Sequence, residues 1–135
     1  MTTLPAEMMA RVGEVVTFIA PGDAHHIAET FTADPVIVEN FAPHVFRGAA
    51  GLAAWRAGMR SHTADLSGLV ASFGPPQDER LAADTAFFTL PTRWIGKTRG
   101  HDFSEDGGWA FVLVRERGAW RISAYAWAVT AFRLL

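Results

Sequence analysis

The sequence predicts an α+β fold in which three helices pack on a strongly curved antiparallel sheet, forming a cone-shaped half-barrel with an apolar cavity. Two observations support this prediction. Apolar residues recur at helical spacing through much of the first 62 residues, and long apolar runs separated by Gly- and Pro-containing breaks follow them. The last two runs, within residues 108–132, flank a short polar break at residues 115–119 and predict a β-hairpin. The length of 135 residues indicates a single domain over residues 1–135.

The first half of the chain predicts three helices and a short strand. Helical spacing of apolar residues is found over residues 5–19, 24–31 and 49–62. Between the second and third of these helices, residues 36–40 predict a short strand, and residues 45–46 allow a brief second one. Helices that precede the main strands in this way are expected to gather on one face of the sheet.

The second half predicts four long strands. They cover residues 66–73, 81–90 with a continuation at 94–95, 109–114 and 120–130. The polar stretch at residues 97–108 contains two turn signals, Arg99-Gly100 and Asp106-Gly107, and its strand pairing is left open. In the last strand, alternation predicts that Trp120, Ile122, Ala124 and Ala126 face the core, while Tyr125 and Trp127 lie on the opposite, mixed surface.

Composition excludes several classes of function. The formal net charge is −2 and no basic cluster occurs, so the chain lacks the positive surface that nucleic acids or anionic membranes require. There is no cysteine, which excludes a disulfide framework and thiolate chemistry. No apolar run has the length of a membrane span and the N-terminus does not resemble a signal peptide, so a cytoplasmic location is predicted.

Several short motifs occur in an order that is typical of one superfamily. Gly22-Asp23 opens the second helix, Phe31-x-x-Asp34 leads into the short strand, Gly48 precedes the third helix and Gly118-x-Trp120-x-Ile122 begins the last strand. In these features the chain resembles the SnoaL-like and ketosteroid-isomerase-like proteins, which share the nuclear transport factor 2 fold. The resemblance spans about residues 12–127 and implies a cone-shaped fold and a homodimer formed through the outer face of the sheet.

The resemblance also implies where an isomerase would carry its catalytic residues. Those enzymes use a carboxylate base in the short strand, a tyrosine in the first helix and an acid in a late strand. Here the matching positions hold Asn40, Val15 and Ala110, or Phe111 if the last alignment shifts by one residue. None of these side chains can replace the carboxylate base or the two oxyanion donors, so steroid isomerisation by that mechanism is not expected.

Asn40 is the first candidate for binding a ligand in the cavity. Alternation places Asn40 on the same face as Val36 and Val38, so that it can orient a carbonyl or hydroxyl group, whereas Glu39 is expected to face solvent. Bonding of Asn40 to the backbone of the following turn is an equal alternative. The aromatic candidates for the cavity wall are Trp94, Trp109, Tyr125 and Trp127, the last of which matches an aromatic residue that lines the cavity in the isomerases.

The candidates for acid–base chemistry are histidines. His44 lies in the loop predicted at the mouth of the cone, and His101 could pair with Asp102, although exposure to solvent is an alternative for all three. His62, at the end of an apolar helical stripe, is interpreted as a residue that stabilises the C-terminus of its helix. No His or carboxylate pair has the spacing of metal ligands, and no cofactor motif is present, so neither a metal nor a cofactor is predicted.

Two functions follow from these features. The first is a binding protein that holds a small, mostly apolar carbonyl compound in the cavity, which is favoured because no buried carboxylate is expected there. The alternative is a cofactor-free isomerase, cyclase or dehydratase that uses a histidine base.

In either case a homodimer through the sheet is predicted, because Val112, Val114 and their neighbours form a strand that is apolar on both faces. Sedimentation at micromolar concentration tests this prediction, and a stable monomer would contradict it.

Overall fold

The computed structural model describes residues 3–135 and has the predicted architecture of helices packed on a strongly curved sheet. The helices are α1 (Ala6–Ile19), α2 (Ile27–Thr30) and α3 (Gly48–His62). The strands are β1 (Phe31–Val38), β2 (Val45–Arg47), β3 (Leu66–Phe73), β4 (Gln77–Leu81), β5 (Thr85–Thr98), β6 (His101–Glu116) and β7 (Ala119–Leu134). The α+β fold class is therefore confirmed, although α2 is a single turn, shorter than the predicted helix.

All seven strands belong to one sheet in the order β2-β1-β7-β6-β5-β3, and β4 pairs with β5. Neighbouring strands are antiparallel except β1 and β7, which run parallel. In this pairing Ile37 lies beside Tyr125, so the end of β1 meets the middle of the last strand. The concave face is covered by α1 and α3, whose buried side chains include Val12, Val15 and Trp55.

The polar stretch at residues 97–108 forms the turn and adjoining strand ends of the hairpin between β5 and β6. Arg99 and Gly100 form its turn with φ values of 50° and 82°, as a turn with two left-handed central residues requires. The second turn signal, Asp106-Gly107, lies inside β6, paired with β5. The long strands that result contribute Trp94, Phe103, Glu105 and Trp109 to the lining of the cavity.

The inward face of β1 differs from the prediction. Ile37 is fully buried and Glu39 is 5% exposed, whereas Val38 and Asn40 are exposed. The expectation that Glu39 faces solvent is therefore wrong. The physical reason is that residues 36–38 are all apolar, so their sequence does not determine which alternate positions pack into the core.

A β-bulge changes the face that the last strand presents to the core. Ile122 pairs with Leu113 and Ala124 with Val112, which leaves Ser123 without a partner on β6. The extra residue reverses the alternation, so Tyr125 is 2% exposed and packs inward, contrary to the prediction. The bulge thereby places Tyr125 in contact with the end of β1.

The outer face of β6 is less buried than its inner face. Val112 and Val114 are partly exposed in the single chain, whereas Leu113 between them is fully buried. The homodimer through this face stays a prediction. None of the helices within residues 3–135 combines the length and the apolar character needed to cross a membrane.

Candidate functional site

A cavity of about 70 Å³ lies inside the cone, between the end of α3 and the concave face of the sheet. Its apolar wall includes Trp94, Phe103, Trp109 and Trp127. Its polar side chains include Glu39, Asn40, His62 and Glu105. The cavity therefore combines an aromatic wall with three ionisable groups, which is the composition of a small-molecule site.

Glu39 is the most deeply buried of these ionisable groups. Its Oε2 accepts hydrogen bonds from the indole Nε1 of Trp55, at 3.0 Å, and from the hydroxyl of Tyr125. Burial raises the pKa of Glu39, the two hydrogen bonds oppose that rise, and the charge of Glu105 adds to it. Both bonds end on Oε2, so neither of them engages the second carboxyl oxygen.

Tyr125 lies behind the cavity wall and contacts the site through its hydrogen bond to Glu39. Burial and the neighbouring Glu39 carboxylate raise the pKa of its hydroxyl well above the usual value, so the phenol stays protonated and donates. Its ring also packs edge-on against Trp55 and Trp109, with centroids 6.1 Å and 5.6 Å away. Tyr125 thus fixes the orientation of the Glu39 carboxyl group.

Glu105 is the second carboxyl group of the cavity. It is partly buried on β6, where its side chain points inward together with those of Phe103 and Trp109. Burial raises the pKa of Glu105, and a hydrogen bond from Trp127 opposes the rise. A raised pKa increases the protonated fraction of a carboxyl group near neutral pH, which allows it to donate a proton.

His62 is the last residue of α3 and lies at the exposed rim of the cavity. The stripe that contains Trp55 and Met59 continues to His62 one turn later, which directs the imidazole towards the cavity. The ring stacks on Phe41 with a centroid separation of 4.9 Å and an interplanar angle of 26°. Partial burial of the ring lowers the pKa of His62, so its imidazole is neutral near pH 7 and can accept a proton.

The indole of Trp127 packs over Gly107 of the neighbouring strand β6, and it can do so because residue 107 has no side chain. A Cβ atom on Gly107 would lie 2.4 Å from Cη2 of Trp127 and 2.5 Å from the carbonyl oxygen of Ala128. The indole therefore occupies the space of the missing side chain. From there it packs edge-on against Trp109, with centroids 5.9 Å apart.

Gly107→Ala is expected to displace Trp127 and to destabilise the protein by about 1–3 kcal/mol, because the added methyl group overlaps both the indole and backbone. Tryptophan emission and chemical denaturation measure the two effects. Gly108→Ala is the matched control, since no atom lies within 4 Å of its added Cβ. Equal loss of stability in both variants would indicate a general cost of replacing glycine in this strand.

The sequence-predicted binding residues are found in or directly beneath the cavity. Asn40, Trp94, Trp109 and Trp127 line it, and Tyr125 lies behind the wall and reaches the site through Glu39. Asn40 is exposed and lies at the rim. Their roles in binding stay predictions.

The sequence-predicted catalytic residues lie elsewhere. His44 is exposed and its Nδ1 donates to the backbone carbonyl of Glu39, at 3.0 Å, which makes it part of the turn after β1. His101 and Asp102 are exposed at the β5–β6 turn, where Asp102 pairs with Lys97 at 3.1 Å. The structure does not bring these three side chains to the cavity.

The ionisable groups that do reach the cavity, Glu39, His62 and Glu105, were not predicted as site residues. His62 could have been found from its place in the helical stripe. Glu105 follows the alternation of its neighbours on β6 and could have been found by treating residues 101–108 as strand. For Glu39 no sequence signal determined the inward face. Within residues 3–135, no three His, Asp or Glu side chains form a group that could hold a metal ion.

The cone of helices on a curved, open sheet is the nuclear transport factor 2-like fold, and similar solved structures bear this out. One is the hexachlorocyclohexane dehydrochlorinase LinA-type3 from Novosphingobium barchaimii LL02, with a TM-score of 0.80 at 11% identity over 96% of this chain and 88% of that chain. Another is the Kfla4162 protein from Kribbella flavida, with a TM-score of 0.79 at 14% identity over 95% of this chain and 91% of that chain.

A third is a nuclear transport factor 2-like protein with a cystatin-like fold from Novosphingobium aromaticivorans, with a TM-score of 0.72 at 21% identity over 92% of this chain and 80% of that chain. No protein-family model and no curated protein matches the chain. At these identities the likeness establishes the fold alone. The fold expected from the sequence resemblance is thus confirmed.

Proposed function

We propose that the protein is a cofactor-free acid–base enzyme, an isomerase, cyclase or dehydratase, that acts on a small, mostly apolar carbonyl compound. The observation that supports this proposal is that Glu39, His62 and Glu105 share one cavity with an aromatic wall. The preference for binding without turnover depended on the absence of a buried carboxylate, and Glu39 removes that premise.

His62 is the base in this proposal. Its neutral imidazole at the rim takes a proton from the carbon next to the substrate carbonyl. Glu39 in its protonated form gives a proton to the oxygen on which negative charge develops, or to a leaving group. Tyr125 and Trp55 hold that carboxyl group in place, and the tryptophan wall keeps water away from the charge.

The fold is compatible with this chemistry. The neighbour named as a dehydrochlorinase indicates that the same architecture accommodates an enzyme acting on a small molecule. Binding without turnover is the competing function, and the same cavity would serve it.

Deuterium exchange distinguishes the two functions without knowledge of the natural substrate. The protein is incubated in D₂O with cyclopentanone, cyclohex-2-enone and 4-chromanone, and loss of the acidic C–H signals is followed by proton NMR. An enzyme of the proposed kind accelerates exchange of at least one ketone above the rate in buffer alone. Ketones that bind but exchange no faster than in buffer would support the binding function and contradict the proposal.

A further inference from the structure

Glu105 has aromatic neighbours on three strands of the sheet. It lies on β6 directly across from Trp94 on β5 and from Phe132 on β7. Trp127 donates a hydrogen bond to its carboxyl group, and Phe103, on the same face of β6, stacks on Phe132 with ring centroids 5.6 Å apart. Trp94, Phe103 and Trp127 line the cavity together with Glu105. Glu105 is only partly buried, so part of its side chain is accessible among these rings.

Within residues 3–135, no basic side chain forms an ion pair with Glu105. The next residue of β6, Asp106, points to the opposite face of the sheet and pairs with Arg93 and Arg133, at 2.7 Å and 3.6 Å. The two flanking strands therefore contribute cations to the outward carboxylate and aromatic rings to the inward one. Carboxylates that are removed from water are usually paired, so the inward carboxyl group lacks the counter-ion that such a position requires.

The other ionisable groups of the cavity do not supply a positive charge. They are Glu39 and His62, and no lysine or arginine of the described chain lines the cavity. His62 is neutral near pH 7 because partial burial lowers its pKa, and the charge of Glu105 contributes to the raised pKa of Glu39. An anionic ligand would meet two carboxyl groups and no cation, whereas a cationic ligand would relieve the repulsion between the two carboxylates.

We propose that the cavity binds a small organic ammonium group, with Glu105 as its counter-ion and the surrounding aromatic rings as its wall. The negative potential on the face of an aromatic ring attracts a cation, most strongly for tryptophan, and aromatic cages recognise quaternary ammonium groups in this way. This inference rests on the proposed function for the location of the substrate, and it adds that the substrate carries a positive charge besides its carbonyl group.

Three ligands of nearly the same shape and different charge test this proposal: choline, its neutral analogue 3,3-dimethylbutan-1-ol, and the anion 3,3-dimethylbutanoate. Affinities are measured at one ionic strength by titration followed through tryptophan fluorescence. The unmodified protein is expected to bind choline about tenfold more tightly than the alcohol and to bind the anion least.

Glu105→Gln is expected to lower the affinity for choline about fivefold or more and to leave the affinity for the alcohol unchanged, because only choline loses an ion pair. Asp106→Asn is the matched control. It removes the same charge from the next residue of the strand, on the opposite face of the sheet, and should retain the preference for choline.

A measurement on the unmodified protein keeps the test valid if Glu105→Gln folds poorly. Nuclear Overhauser effects are expected between the methyl protons of choline and the ring protons of Trp94 and Phe103, since both rings line the cavity with Glu105. Equal affinity for choline and the alcohol, absence of these effects in the choline complex, or an equal loss of affinity for both ligands in Glu105→Gln would overturn the inference.

The binding of choline needs no turnover, so this test is independent of the deuterium-exchange experiment. A preference for choline without ketone exchange would contradict the proposed function and leave the ammonium site standing. Ketone exchange without a preference for choline would support the proposed function and overturn this inference.

Discussion

His62→Gln is expected to lower the rate of protein-catalysed deuterium exchange by about 10²–10⁴-fold, the usual contribution of a general base. Glutamine keeps a polar side chain at the end of α3 but cannot take up a proton at neutral pH. The loss is expected in the rate constant for exchange, with ketone affinity changed much less, since the aromatic wall remains intact. Progress curves at several ketone concentrations separate the two quantities.

The matched control is His44→Gln, which removes an exposed imidazole outside the cavity. Its exchange rate should stay within about twofold of the unmodified rate, as is usual for a residue that does not contact the reacting atoms. The unmodified protein should also lose activity as the pH falls through the lowered pKa of His62, because the protonated imidazole cannot accept a proton. A larger loss in His44→Gln than in His62→Gln would show that the base has been assigned to the wrong histidine.

Glu39→Gln is expected to make the protein more stable than the unmodified chain at pH 8 and about equally stable at pH 4. Burial raises the pKa of Glu39 in the folded state above its ordinary value of 4.5. As the pH rises from about that value, the unfolded chain releases the proton first, so the folded state loses stability until its own carboxyl group ionises. A glutamine side chain does not ionise between pH 4 and pH 8, and its amide oxygen can still accept hydrogen bonds from Trp55 and Tyr125.

Urea denaturation at several pH values between 4 and 8 measures this effect. Glu29→Gln is a suitable control because that carboxylate is exposed, and its stability difference from the unmodified protein should not change with pH in this way. Glu39→Gln should also lose most of the catalysed exchange if Glu39 supplies the proton. If Glu39→Gln is destabilised equally at pH 4 and pH 8, the prediction is contradicted. That result would show that the hydrogen bonds to the Glu39 carboxylate stabilise it as much as burial destabilises it.

The helical part of the fold was the most predictable from the sequence. The helix predicted at residues 5–19 is found at Ala6–Ile19, and the one predicted at residues 49–62 is found at Gly48–His62. Both have apolar positions at regular helical spacing, so their buried faces are determined by the sequence. The strand predicted at residues 66–73 is also found at Leu66–Phe73, between Asp65 and the Gly74-Pro75-Pro76 break.

The chemistry of the site was less predictable because it depends on which face of a strand points inward. At the end of β1 the three consecutive apolar residues before Glu39 fit either face, and only packing of Ile37 into the core selects one. The hydrogen bonds from Trp55 and Tyr125 then join residues 16 and 86 positions away along the chain. Contacts of this range depend on the tertiary structure, and one sequence does not reveal them.

The unpaired Ser123 on β7 has a consequence for how such a cavity can evolve. Because the bulge sets the alternation after it, the presence of one extra residue decides whether Tyr125 and Trp127 or the small Ala124 and Ala126 face the interior. Insertion or deletion of a single residue could therefore exchange the side chains of this wall while every other amino acid stays the same. Homologues that differ by one residue in this strand can differ in specificity even where their substitutions are few.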